Sequence, residues 1–137
     1  MTSDKIKELE IIDLVERKRR EFNLGMNPLA DNIFKFVRDD LKITLLYFPN
    51  ENENKNNVHA MYAAREMDGD RMRFILLNTN SFYDKQIFAV AHEFYHYWFE
   101  ESRMHTLRED ELYEAKENRE EKANRFAAEF LLPTQSL

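Results

Sequence analysis

The sequence predicts an α+β fold in which a small sheet packs against a buried helix. Apolar residues recur at helical spacing near both ends of the chain and again after residue 84, whereas residues 42–78 hold short runs rich in β-branched and aromatic side chains. The chain has 137 residues, only two Gly and three Pro, and no linker-like segment, so residues 1–137 are expected to form one domain. The expected sheet is twisted and has three strands or slightly more.

The predicted elements rest on apolar spacing and on local start and stop signals. Asn27-Pro28 has the N-cap and proline order that begins a helix, which is expected to run to about residue 40. Asp68-Gly69 is a hairpin signal between strands predicted at 58–66 and 71–78, and the second of these is expected beside a strand at 42–48. In chain order, the predicted segments are N-terminal helices within 1–41, a sheet within 42–78, a helix at 84–101 and a C-terminal helix at 118–132.

The charge balance disfavours nucleic acid as a partner, because the formal net charge is −6 and such proteins usually carry a basic surplus. One basic cluster, Arg17 to Arg20, is flanked by Glu16 and Glu21 and is interpreted as a solvated helix face. The absence of Cys excludes disulfides and thiolate ligands and suits a cytoplasmic location. No signal-peptide core and no membrane-length apolar run occur, so no membrane partner and no direct nucleic acid binding are expected.

The first candidate functional residues lie in the run His92-Glu93-Phe94-Tyr95-His96, which has the spacing of a metal site. Positions four apart on a helix lie about 40° apart around the axis and about 6 Å apart along it, so both imidazoles can reach one metal ion. Glu93 is turned about 100° from His92, which places it beside a water on that ion rather than among its ligands. Apolar residues surround most of this helix, and a metal ion is the partner that would satisfy two His and one Glu in a buried position.

A third ligand is expected from the helix predicted at 118–132. Glu120 is the candidate, because alanines near the same side of that helix allow two helices to approach closely. Asn124, four residues further on, can hydrogen-bond a histidine ring and fix its tautomer. Glu121 is the rival ligand, but it is turned about 100° away from Glu120.

Three segments of the chain, which include the histidine motif and Glu120, together form a longer sequence pattern. They are Ile75-Leu76-Leu77-Asn78, the run from Gln86 to His96, and the run from Glu120 to Pro133, which ends in Phe-Ala-Ala-Glu-Phe-Leu-Leu-Pro. Over residues 42–133 they resemble the ImmA/IrrE family of zinc metallopeptidases, and the combined motifs are more specific than the histidine motif alone. The family commonly continues past the Leu-Leu-Pro segment, so the end at Leu137 is interpreted either as a truncation or as a minimal member.

The resemblance implies a thermolysin-like, gluzincin active site that holds one Zn²⁺ ion. It implies that His92, His96 and Glu120 are the ligands and that Glu93 is the general base. It also implies a bacterial or phage protein that cleaves a partner transcriptional repressor, often of the helix-turn-helix type, and so relieves repression.

Several assignments stay open within this resemblance. Tyr95 stands where the family usually has Gly, and it is one candidate for steadying the oxyanion, together with Tyr97, His105 and Tyr113. His105 is expected to be an exposed histidine in a charged loop, and the oxyanion role is its alternative. His59 is expected to face solvent from a strand.

The substrate and the activity also have alternatives. By resemblance, the substrate would lie extended along an edge strand, which we predict to be residues 58–66. The alternative function is a non-catalytic zinc-containing regulator that binds and sequesters a repressor. Mn²⁺ or Fe²⁺ would accept the same ligands, although two imidazoles and a carboxylate favour Zn²⁺.

Overall fold

The computed structural model describes residues 3–49, 58–99, 104–108 and 118–134, and within them it shows helices packed on a four-stranded sheet. The α+β prediction is confirmed, with helices at both ends of the chain. No helix in these ranges is long and apolar enough to span a membrane. The elements are α1 (Ser3–Glu21), α2 (Asn32–Lys35), a π-helical turn (Phe36–Asp40), β1 (Thr44–Phe48), β2 (Val58–Met67), β3 (Asp70–Asn78), α3 (Tyr83–Phe99), β4 (Met104–Arg108) and α4 (Asn118–Leu131).

The sheet has the strand order β1-β3-β2-β4. β1 runs parallel to β3, with Leu45 opposite Ile75, so the predicted neighbours are confirmed. β2 is antiparallel to both β3 and β4. The prediction that residues 58–66 form an edge strand is therefore wrong, because β4 covers the other side of β2. β4 has only five residues in a charged stretch, so nothing in its local sequence predicted a strand.

The turn between β2 and β3 is the two-residue hairpin turn that the sequence predicts. Met67 pairs with Asp70, and the two residues between them have φ of +53° at Asp68 and +84° at Gly69. Positive φ at both central residues is the geometry that matches the right-handed twist of the strands, and Asp-Gly adopts it readily. The hairpin prediction is confirmed.

The second predicted helix is shorter than expected and begins later. Pro28 does not start it, because the backbone N–H of Leu29 donates to the carbonyl of Leu131 at 3.0 Å and Ala30 has a φ of +47°. The helix therefore begins only at Asn32, and its second half is a π-helical turn closed by a bond from the Leu41 N–H to the Phe36 carbonyl. A contact with α4 decides this helix start.

Aromatic side chains fill the space between α3 and α4. Phe94 and Trp98 on α3 have ring centroids 5.0 Å apart, and Phe126 stacks on Phe130 in α4 at 5.5 Å. Phe94 also meets Phe130 edge to face at 5.7 Å, so the two helices are in direct contact. Because such pairs add about 0.5–1.5 kcal/mol each beyond their buried area, they fix the relative position of the two helices.

A buried cation joins α1 to the C-terminal end of α4. The Arg19 side chain is fully buried, and its Nε and Nη2 donate to the Phe130 carbonyl at 3.1 and 2.5 Å. Its Nη1 donates to the carbonyls of Gly25 and Asn27 at 2.8 and 2.9 Å. Burial lowers the pKa of the Arg19 guanidinium, and Glu129 opposes that shift. The positive charge at this end also complements the α4 dipole.

Substitution of this arginine is expected to destabilise the fold. Arg19→Met leaves three buried or partly buried carbonyls without their donor, which should lower the free energy of unfolding by about 3 kcal/mol. Urea denaturation followed by circular dichroism measures this difference. Arg20→Met, at an exposed position on the same helix, is the control and should change stability by less than about 0.5 kcal/mol. Similar small effects for both variants would contradict the proposed role of Arg19.

Candidate metal centre

Helices α3 and α4 bring the three predicted metal ligands together. His92 and His96 lie one turn apart on α3, and Glu120 lies in the first turn of α4. The Nε2 atom of His92 is 2.8 Å from Oε2 of Glu120, and the Nε2 atom of His96 is 3.2 Å from Oε1 of Glu120. The two Nε2 atoms are 3.2 Å apart. We call these three residues the ligand trio.

The separations within the ligand trio fit a small divalent cation. Ligand atoms about 2.0–2.1 Å from a tetrahedral ion lie roughly 3.3 Å from one another. All three side chains are at most 1% exposed. A buried carboxylate beside imidazole nitrogens is costly unless a positive charge lies among them. Two imidazoles and a carboxylate suit Zn²⁺, and other first-row divalent ions accept the same donors.

Asn124 holds the ring of His92 from the side opposite Glu120. Its Oδ1 lies 2.8 Å from Nδ1 of His92. Because an amide oxygen can only accept a hydrogen bond, Nδ1 carries the proton and donates it to Asn124. The lone pair of His92 is then on Nε2, the atom that faces Glu120. Asn124 therefore stands in the position expected for a residue that selects the ligating tautomer.

Removal of this hydrogen bond is expected to weaken metal binding without removing a ligand. Asn124→Ala should lower the affinity for Zn²⁺ by about 10- to 100-fold, the usual effect of losing the partner of a ligating histidine. Competition with a chromogenic chelator measures the affinity. Asn124→Asp keeps an acceptor at the same place and should recover most of the loss. Equal affinity in Asn124→Ala and the wild type would contradict this role.

Glu93 lies on the same helix but outside the ligand trio. Its side chain is completely buried. It directly follows His92, so it is turned by about 100° around the helix axis. A carboxylate in this position can accept a proton from a water beside the ion without competing as a ligand. The sequence predicts the same division between ligands and base.

The rival carboxylate, Glu121, is engaged elsewhere. Its Oε1 accepts a hydrogen bond from Nη2 of Arg125 at 2.9 Å, and its side chain is 42% exposed. Glu120, by contrast, is 1% exposed and faces both histidines. The helical-face argument from the sequence therefore selected the carboxylate that the structure brings to the site.

Two of the tyrosines considered for the oxyanion lie on different sides of α3. Tyr95 packs on Phe126 at 5.9 Å and is 8% exposed, so it fills the contact with α4. Tyr97 packs on Tyr62 of β2 at 5.7 Å, and the guanidinium of Arg73 lies 5.0 Å from the centre of the Tyr97 ring. Burial raises the pKa of the Tyr62 phenol, with Arg73 opposing the shift, so Tyr62 is a neutral phenol at pH 7. Tyr97 thus faces the sheet.

The other two oxyanion candidates are His105 and Tyr113, and the structure describes the position of only the first. His105 lies in β4, opposite Tyr62 in the pairing with β2, so the expectation of a loop at this position is wrong. Long-range pairing with β2 is the reason. Tyr113 lies outside the residues that the structure describes. The roles suggested for both residues stay predictions.

His59 is a buried residue that the sequence predicted to face solvent. It is 2% exposed, and its Nδ1 lies 2.7 Å from Oγ of Ser81. The cause is a register shift between Val58 and Ala60 where β2 pairs with β4, which lets both His59 and Ala60 turn inward. Strict alternation along a regular strand would have exposed His59, so no signal in the sequence could have revealed its burial.

The site contains two buried histidines and a glutamate within reach of one ion. A further buried carboxylate directly follows the first histidine on α3. On an α+β fold, this combination defines a metallopeptidase-like site. The sequence profile of the Peptidase_M78 family, described as an IrrE N-terminal-like domain, matches residues 38–137. The chain belongs to this family, which confirms the resemblance found in its motifs. Comparisons with curated proteins and with solved structures gave no match.

Proposed function

We propose that this chain is a zinc-dependent endopeptidase that cleaves a partner transcriptional repressor of the helix-turn-helix type. The observation that supports the proposal most is the ligand trio, whose ligand atoms lie within 4.8 Å of one another, with Glu93 buried next in sequence to His92. Membership in the Peptidase_M78 family supports peptide hydrolysis as the class of reaction.

The residues of the site have two different roles in hydrolysis. The ligand trio holds the ion, and Glu93 moves a proton. A divalent ion held by the ligand trio supplies Lewis acidity, which lowers the pKa of water and polarises a carbonyl group. Glu93 takes a proton from the attacking water as the water oxygen bonds to the carbonyl carbon. It then gives that proton to the amine nitrogen as the carbon–nitrogen bond breaks. Asn124 keeps the His92 ring in the ligating tautomer throughout.

The complete burial of the site favours a second candidate function. His92, Glu93 and His96 are each 0% exposed. A regulator that binds and sequesters a repressor needs no contact between its partner and these buried residues. The alternative function is therefore a non-catalytic zinc-containing regulator that uses the same fold.

An experiment with purified proteins separates the two functions. The protein is loaded with Zn²⁺, mixed with each member of a panel of helix-turn-helix repressors, and analysed by gel electrophoresis and mass spectrometry. Fragments that form with Zn²⁺ and are absent with chelator support the peptidase. A stable complex of intact chains supports sequestration. If no repressor is either cleaved or retained, the proposed class of partner is wrong.

The identity of the metal ion has its own measurement. Elemental analysis of the protein purified without added metal is expected to find about one zinc per chain, because the donor set favours Zn²⁺. A predominance of manganese or iron would replace zinc in the proposal and leave the ligand trio unchanged.

A further inference from the structure

A concave surface site lies at the edge of the sheet opposite β4. A cavity of about 370 Å³ opens between the α2 region, β1 and the first turn of α3. β1 pairs with β3 on one side, and in the described part of the chain no strand lies along its other side. The residues that line the cavity include Asp31, Phe34, Lys35, Arg38, Tyr47 and Tyr83.

The cavity has aromatic walls that are open to solvent. Tyr47 and Tyr83 are each 55% exposed, and the neighbouring Phe82 is 75% exposed. Phe34 packs beside Tyr83, with ring centroids 5.6 Å apart, and the Tyr83 hydroxyl donates to Asp31 at 3.3 Å. Large exposed aromatic side chains gathered around a concavity are typical of surfaces that bind another protein.

The cavity also carries cations on a chain that is acidic overall. Lys35 and Arg38 are both exposed, and neither forms an ion pair with any residue that the structure describes. Asp31 is the acidic residue among the described lining residues, and its carboxylate already accepts from Tyr83. The described lining therefore carries two cations against one carboxylate on a chain with a formal net charge of −6, and this surplus favours an acidic ligand.

We propose that this cavity and the free edge of β1 form a docking site for an extended acidic segment of the protein substrate. The segment adds as a strand to β1, with its carboxylates at Lys35 and Arg38 and its apolar side chains against Tyr47 and Tyr83. A strand edge offers backbone groups to a peptide, whereas the overall negative charge disfavours nucleic acid. The statement that the docked segment belongs to the substrate rests on the proposed function.

The position of this site leaves the metal centre free. Gln86 lines the cavity and precedes His92 on α3, at a distance of about 9 Å along the helix axis. The cavity and the ligand trio therefore involve different turns of α3, and a substrate held at β1 does not occupy the ligand trio.

Peptide binding to the full chain tests the docking site. The probe is a fluorescein-labelled peptide of about eight residues, long enough to cover β1, in which Glu and Val take turns at every second position and Ser fills the positions between them. Only every second side chain of an added strand faces the cavity, so both Glu and Val can then reach it. The probe is compared with the same peptide carrying Lys in place of Glu. Fluorescence anisotropy, with and without chelator, should show binding of the acidic peptide that is about tenfold tighter than binding of the basic one. This measurement needs neither metal nor cleavage.

Matched charge reversals locate the binding. Lys35→Glu combined with Arg38→Glu should reverse the preference, so that the basic peptide binds more tightly. Arg17→Glu combined with Arg20→Glu makes the same change in net charge on exposed positions of α1 and should leave the preference as in the wild type. Equal effects of the two double variants, or no binding of the acidic peptide to the wild type, would overturn the docking site.

Backbone methylation tests strand addition. Two acidic peptides are prepared, one methylated on the amide nitrogens of the odd-numbered residues and the other on those of the even-numbered residues. Only one of these two sets of amide groups can face β1 in an added strand. One of the two peptides should lose binding, and equal binding of both would overturn pairing with the strand edge.

A competition experiment tests the class of ligand. If duplex DNA binds more tightly than the acidic peptide and displaces it, a peptide is the wrong class of ligand. If the peptide docks as expected while no repressor is cleaved or retained, the docking site stands and the proposed function fails.

Discussion

Replacing Glu120 with alanine is expected to weaken Zn²⁺ binding by more than about 100-fold, a larger effect than the loss of a supporting hydrogen bond. The Glu120 carboxylate is buried and lies within 3.2 Å of both ligating nitrogens, so no other described part of α4 replaces it. Glu121→Ala should leave the affinity essentially unchanged, because that side chain is paired with Arg125. Chelator competition, with elemental analysis after dialysis, measures both variants.

Thermal stability provides an independent measurement of the same ligand. Zn²⁺ at about 100 times its dissociation constant should stabilise the wild type by about 2.7 kcal/mol, because it binds the folded state. This gain should vanish in Glu120→Ala and persist in Glu121→Ala. Circular dichroism of the metal-free variants shows whether each one folds. Loss of zinc in Glu121→Ala alone would move the third ligand to that residue.

Glu93→Gln is expected to lower the rate of peptide hydrolysis by about 10²- to 10⁴-fold while metal binding is retained. Glutamine matches the shape of glutamate in a fully buried position but cannot accept a proton. Because Glu93 lies outside the ligand trio, the zinc content should match that of the wild type. The rate is measured on a repressor that the wild type cleaves, or on a fluorogenic peptide that spans the cleaved bond.

The control for this variant is Glu121→Gln, which makes the same change at a partly exposed carboxylate near the site. It should cleave at the rate of the wild type. A Glu93→Gln protein that holds its zinc and cleaves as fast as the wild type would show that another group is the base. If Glu93→Gln loses both zinc and activity, the residue belongs with the ligands instead.

Features whose causes lie within a few residues were predictable from the sequence. Asp68-Gly69 supplies the two residues that a tight hairpin turn needs, and both have positive φ in the structure. The apolar surroundings of α3 predicted a buried helix, and the residues from Ala89 to His96 are all buried. In both cases the conformation depends on local geometry and on side-chain polarity alone.

The wrong predictions all involve contacts between distant segments. The start predicted at Asn27-Pro28 failed because the N–H of Leu29 bonds to Leu131 in α4. The edge predicted at residues 58–66 became an inner strand because β4 pairs with it, and the register shift in that pairing buried His59. Such contacts form only after the chain has folded back on itself, and no local pattern records them.

The sequence by itself determined that His92 and His96 share one face of a helix and that Glu93 is turned away from it, because the α-helical repeat sets these angles in any surroundings. The sequence made Glu120 the candidate third ligand, but only the tertiary structure decided that this carboxylate, 28 residues after His92, meets both imidazoles. That meeting depends on aromatic packing between α3 and α4, which brings two segments of the chain together without any periodicity linking them.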